Sequence, residues 1–103
     1  MKFYYNGNLV RTSKTRHYKY AVGTSDTATY ARCCETFASA QKALDELKRQ
    51  IIKVAESNYK FAQNPENLAW LKERYGEQFD AEERYKKAIA RVQFAEIVEL
   101  EER

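Results

Sequence analysis

Hydrophobic and polar positions change period along this chain. Up to Cys34 they alternate with the two-residue period of strands, and from Thr36 to about Val92 they recur at the three- and four-residue spacing of helices. Asn6-Gly7 lies between Phe3-Tyr4-Tyr5 and Leu9-Val10. A type I′ turn needs positive φ at both central residues, which this dipeptide supplies at least steric cost. The segment therefore predicts a hairpin with Tyr5 opposite Asn8, Tyr4 opposite Leu9 and Phe3 opposite Val10. Arg16 to Val22 alternates again, with Arg16, Tyr18, Tyr20 and Val22 on one face and His17, Lys19 and Ala21 on the other. Gly23-Thr24-Ser25-Asp26 reads as a turn cluster. Thr27 to Cys34 reads as a further strand, with Tyr30, Arg32 and Cys34 on one face. The expectation is an antiparallel meander of three or four short strands. Its Tyr18, Tyr20 and Val22 side packs on helices, and Lys19 and His17 point outward.

The helical part opens at Thr36, whose hydroxyl suits an N-cap. Phe37, Ala40, Leu44, Leu47, Ile51, Val54, Asn58 and Phe61 follow a 3-4-3-4 spacing, which predicts one apolar stripe on a helix reaching about Gln63. Asn64-Pro65 ends that helix and starts a second, because proline disfavours helical geometry before it and suits a first helical position. Gly76 is the candidate stop. Asp80 and Glu83 have capping-box spacing for a third helix, supported by Glu82–Lys86 and Glu83–Lys87 pairs. Val92 to Leu100 reads as a closing strand, with continued helix as the alternative. The fold class is α+β: an N-terminal antiparallel meander of three to four strands packed by a long helix, then two shorter helices and a C-terminal strand. All of it fits one domain over residues 1–103, with a strand-rich basic part (1–34) and a mainly helical part (35–103).

Composition narrows the classes. With 44% apolar and 32% charged residues the chain is not disordered, and only three glycines and one proline argue against an all-β protein. No stretch approaches the ~20 apolar residues of a membrane span. The N-terminus lacks the apolar core of a secretory signal. These features lead us to expect a cytoplasmic protein without a membrane partner. The adjacent Cys33 and Cys34 close no loop and read as a reduced pair.

Charge is uneven. Residues 1–34 carry six basic residues against Asp26 alone, a net +5, whereas residues 35–103 carry 12 basic and 14 acidic, a net −2. Arg11, Lys14, Arg16, His17, Lys19 and Arg32, interleaved with Tyr18 and Tyr20, have the composition of a sheet that contacts phosphates and stacks on bases. The competing reading is that tyrosines are good strand formers and lysines protect edge strands. Leu44, Leu47, Ile51 and Val54 form the centre of the helical stripe. They serve either as a seam for a protein partner or second copy, or as the cover of the sheet.

Catalytic chemistry finds no footing. His17 is the single histidine, no serine or cysteine motif surrounds it, and no phosphate loop is present. Cys33, Cys34 and His17 lack the spacing of a zinc site. A redox role would need a lowered thiol pKa, which Arg32 could help create. No enzyme activity, cofactor, metal or small-molecule ligand is expected. The acidic Glu99-Leu100-Glu101-Glu102-Arg103 segment reads as a solubilising tail, with docking on a basic partner as the alternative.

The run Tyr5-Asn6-Gly7-Asn8-Leu9-Val10-Arg11-Thr12-Ser13, with Tyr18-Lys19-Tyr20-Ala21-Val22 and Phe37-Ala38-Ser39-Ala40-Gln41-Lys42-Ala43-Leu44, resembles small uncharacterised proteins of bacterial mobile elements and phages. The likeness covers roughly the first half and implies a bacterial or phage-type intracellular protein without a specific activity. A sheet of three strands followed by a helix also resembles the arm-type DNA-binding domains of tyrosine recombinases, an analogy of fold. The functional expectation is a small non-enzymatic binding or regulatory module. Nucleic acid at the basic sheet is the leading partner, and a protein at the helical stripe is the alternative.

Overall fold

The computed structural model describes all residues, Met1–Arg103. The strands are β1 (Lys2–Tyr5), β2 (Asn8–Thr12), β3 (Tyr20–Thr24), β4 (Thr29–Cys34), β5 (Ala95–Glu99) and β6 (Glu101–Glu102); the helices are α1 (Phe37–Ala62), α2 (Pro65–Tyr75) and α3 (Ala81–Ala90). A single 3-10 turn, Arg91–Phe94, leads into β5. The chain forms two compact units. One comprises Met1–Lys48 with Phe94–Arg103, and the other Arg49–Gln93. The divide therefore does not fall at residue 34, because the first turns of α1 and the C-terminal strands belong with the N-terminal sheet.

In the first unit the strands form two antiparallel three-stranded sheets, ordered β2-β1-β6 and β4-β3-β5, rather than one meander. The hairpin at Asn6 (φ 50°) and Gly7 (φ 78°) has the expected register for Tyr5–Asn8 and Tyr4–Leu9. A bulge then shifts Phe3 opposite Arg11 instead of Val10. Arg16 to Lys19 is not strand despite its alternation. The Ser13 hydroxyl accepts from the Thr15 and Arg16 amides, and Glu35 accepts from the His17 amide, so side chains take donors that a ladder would need.

The long stretch before β6 joins the two sheets. Residues 95–99 pair along the whole of β3, and Glu101–Glu102 pair with β1. Backbone bonds from Leu100 to Lys19 (2.9 Å) and in both directions between Lys2 and Arg103 (3.0 and 2.8 Å) complete the join. The acidic segment expected as a tail is thus a structural strand.

Alternation along β3 then sets two buried layers. Tyr20 and Val22, with Cys34, Ala95 and Ile97, pack against Ala40, Ala43, Leu44 and Leu47 of α1. The opposite face, with Ala21, Gly23 and Val98, is buried as well. The first sheet supplies that cover: Phe3 is fully buried, and the Tyr5 ring meets Tyr30 edge-on at 5.1 Å.

Gly23 lies inside β3 rather than in a turn, opposite Glu96. A Cβ there would stand 1.8 Å from the Thr29 carbonyl oxygen, so glycine is required by close approach of the neighbouring strand. The turn itself, Ser25–Ala28, puts Ala28 at φ 52°. In the second unit the local signals hold. Asn64 caps α2 through Glu66 N (2.9 Å), Gly76 (φ 104°) ends it, and Asp80 caps α3 through Glu82 N and Glu83 N. The Glu82–Lys86 and Glu83–Lys87 pairs form at 3.4 and 3.0 Å.

Two substitutions in the β3–β4 hairpin should move stability in opposite directions. Gly23→Ala forces the strand backbones apart and should cost more than about 4 kcal/mol. Ala28→Gly relieves a left-handed alanine and should be neutral or stabilise by up to about 1 kcal/mol. Urea unfolding of both variants checks the pair.

Candidate functional site

The basic residues singled out in the sequence are all exposed, and Arg16 and Arg32 line one pocket with Tyr18, Lys42, Glu35 and Glu46. Arg11, on β2, donates to the Ala31 carbonyl (3.2 Å) and lies over the Tyr18 ring at 5.6 Å. Arg32 pairs with Glu46 at 2.6 Å. His17 stands 3.7 Å from Glu102. Lys14, Arg16 and Lys19 are exposed on the segment between β2 and β3. The tyrosines are engaged too: Tyr18 packs edge-on against Phe3 at 5.4 Å, and Tyr20 against Phe37 at 5.6 Å. Folding also brings acidic residues to this unit. It contains nine basic and eight acidic residues, a net +1 in place of the +5 of its first 34.

Both thiols are raised above their ordinary range, chiefly by burial, with Arg11 beside Cys33 and Arg32 beside Cys34 opposing it only in part. That is the reverse of what an activated cysteine needs. The Tyr30 hydroxyl donates to Glu96 Oε1 at 2.6 Å, and this bond to a carboxylate raises the Tyr30 pKa well above its ordinary value of 10.0. Its role is to fasten β4 across to β5.

The helical stripe also divides. Leu44 is buried and Leu47 packs on the same core, so both cover the sheet of their own unit. Ile51 is half-buried, and Val54 is 58% exposed. The inward line of α1 runs Ala40, Leu44, Leu47, Ile51, Ala55, Tyr59, Ala62, a mean spacing of about 3.7 residues. A straight helix has 3.6 residues per turn, so a 3-4 alternation drifts around it. Beyond Ile51 the expected stripe therefore turns outward, leaving Val54, Asn58 and Phe61 exposed.

In the second unit this drift helps to build a cleft. Ala55, Tyr59 and Ala62 of α1, with Trp70, Leu71 and Tyr75 of α2, Phe79, and Arg84, Tyr85 and Ala88 of α3, line a cavity of about 400 Å³. Its walls are aromatic pairs: Tyr59 against Tyr85 at 5.1 Å, Phe61 edge-on to Trp70 at 6.5 Å, and Tyr75 stacked on Phe79 at 5.9 Å. Neither α2 nor α3 buries a single residue, and Trp70 is 49% exposed. The Arg84 guanidinium lies over Tyr75 at 4.6 Å and over Phe79 at 5.1 Å. Trp70, Tyr75 and Tyr85 lie on two different helices, and the spacing of apolar positions along the chain does not show that they converge.

No grouping of histidine, cysteine and carboxylate side chains that could hold a metal ion occurs, and no helix is long and apolar enough to cross a membrane. Comparison with protein-family models, with curated proteins and with solved structures gives no match for this chain.

The Tyr30–Glu96 bond leads to a prediction with a definite sign. Tyr30→Phe should cost about 1–2 kcal/mol at neutral pH, because it leaves a half-buried carboxylate without its donor. The native tyrosine has a raised pKa, so its stabilisation is complete below the unfolded value near 10 and is lost as pH climbs above it. The gap between wild type and Tyr30→Phe in urea unfolding should accordingly shrink from pH 10 upward.

Proposed function

We propose that this chain is a small non-enzymatic interaction module whose helical unit binds a segment of another protein in the aromatic cleft between α1, α2 and α3. The observation that carries this reading is the open state of that cleft. Six aromatic rings and four alanines meet there, yet α2 and α3 bury no residue of their own. Contiguous exposed apolar surface with aromatic anchors is the signature of a protein-binding site, and Tyr and Trp are the residues most often energetically dominant in one. The dimensions fit: about 400 Å³ accommodates two or three anchor side chains.

Nucleic acid at the N-terminal sheet is the reading that the geometry supports less. Arg32 is held by Glu46, Arg11 by the Ala31 carbonyl and the Tyr18 ring, and Tyr18 and Tyr20 pack against Phe3 and Phe37. Phosphate binding depends on basic residues acting together on one surface. Arg16 and Arg32 share a pocket with Lys42, and Glu35 and Glu46 line the same pocket and offset their charge.

A photo-crosslinking amino acid at position 70 in the native host should yield discrete protein adducts, and the same group at position 14 should yield none. Fluorescence anisotropy of short DNA and RNA should stay flat at low salt. Adducts absent at position 70, together with nucleic-acid binding abolished by changing Arg11, Lys14, Arg16 and Lys19 to Glu, would reverse the choice.

A further inference from the structure

We infer that the segment bound in the cleft is an amphipathic helix carrying a carboxylate that pairs with Arg84. The inference rests on the reading of the cleft as a protein-binding site and adds the chemistry of its occupant. Arg84 is the cationic residue among those lining the cavity. Its side chain is exposed and held over two rings, and it makes no ion pair within the helical unit, where Glu82 and Glu83 are taken by Lys86 and Lys87. A guanidinium laid flat on aromatic rings loses little entropy on binding, and its edge N–H groups remain free to grip a carboxylate in a bidentate fork. Asn58, exposed on α1 at the same cavity, adds an uncharged donor and acceptor. The helical unit as a whole carries nine basic and seven acidic residues, a net +2, so its field favours an acidic segment.

The backbone argues for a helix. The cleft is walled by three helices, and no strand edge lies in this unit. Their main-chain groups are committed within the helices and their caps. An extended segment buried there would leave its own amides without partners, whereas a helix satisfies them internally and lays one apolar face into the groove.

Selection from a displayed library of helix-forming peptides, roughly four turns long, against the full chain tests this directly. The single tryptophan, Trp70, lines the cleft and reports occupancy by its fluorescence. The expected winners carry apolar residues at i, i+3 or i+4 and i+7, plus a recurrent Asp or Glu, and they shift Trp70 emission. Arg84→Glu should weaken them about tenfold or more, and selection against that variant should replace the acid by Lys or Arg. Apolar helices without an acidic preference, or an acidic preference unchanged in Arg84→Glu, would overturn the Arg84 pairing and leave the cleft as a protein-binding site. Failure to select any helical peptide that moves Trp70 emission would overturn both.

Discussion

The first unit depends on the pairing of its last residues with strands near its beginning. The run from Ala95 to Glu102 adds an edge to each sheet, lying beside β3 in one and β1 in the other. Without it, β3 and β1 would each have an unpaired side, and Ala21 would lose Val98 beside it. A sheet of two strands is at best marginal in water, and a third strand with an apolar face makes it independent. The same run carries Glu96, Glu99, Glu101 and Glu102 into a segment otherwise dominated by lysine and arginine. One act of pairing therefore closes the sheets and neutralises their charge. The N-terminal asymmetry has its counterpart inside the molecule.

The second constraint is the pitch of α1. Its inward line carries Leu44 and Leu47 in the first unit, and Ala55 and Ala62 on either side of Tyr59 in the second. Leucines fill the space above the sheet. Alanines leave room, and the half-buried rings of Tyr59 and Tyr85 meet beside them. The residues that a heptad reading would place inward, Val54 and Phe61, are instead 58% and 46% exposed. A coiled coil could keep them on one seam only by supercoiling with a partner, and α1 follows the pitch of a straight helix instead.

How much of this was legible in the sequence follows from the range of each interaction. Asn6-Gly7, Thr36, Asn64-Pro65, Gly76 and Asp80 act on backbone groups within a few residues of themselves, and each occupies the turn or cap its chemistry predicts. The α+β class and the three helices follow from period alone. The division into two sheets does not, because β1 and β6 are almost the whole chain apart. Alternation at Arg16–Lys19 mimics a strand, but periodicity cannot say whether a ladder partner exists. Gly23 was misleading for a related reason: glycine marks both turns and close approaches, and only the neighbouring Thr29 carbonyl tells them apart. For the candidate sites, composition located the basic residues correctly and could not reveal that Glu46 and Tyr18 would hold Arg32 and Arg11.

The two units differ in what secures them, and that difference bears on function. The first buries Phe3, Val22, Leu44 and Val98 and ties its strands together by long-range hydrogen bonds. The second buries only Ala55 and Ala62, and its aromatic rings and bulky aliphatic side chains are half-buried or exposed. Alanine burial contributes little, since stabilisation scales with the apolar area removed from water. A unit of this kind gains more from covering its rings than a well-packed core could. Any occupant that binds the folded form adds its binding free energy to the stability of the unit. An occupant of the cleft would therefore link its own binding to the folding of the helical unit. The caps at Asn64 and Asp80 and the Glu–Lys pairs of α3 hold its helices in shape with little help from a core.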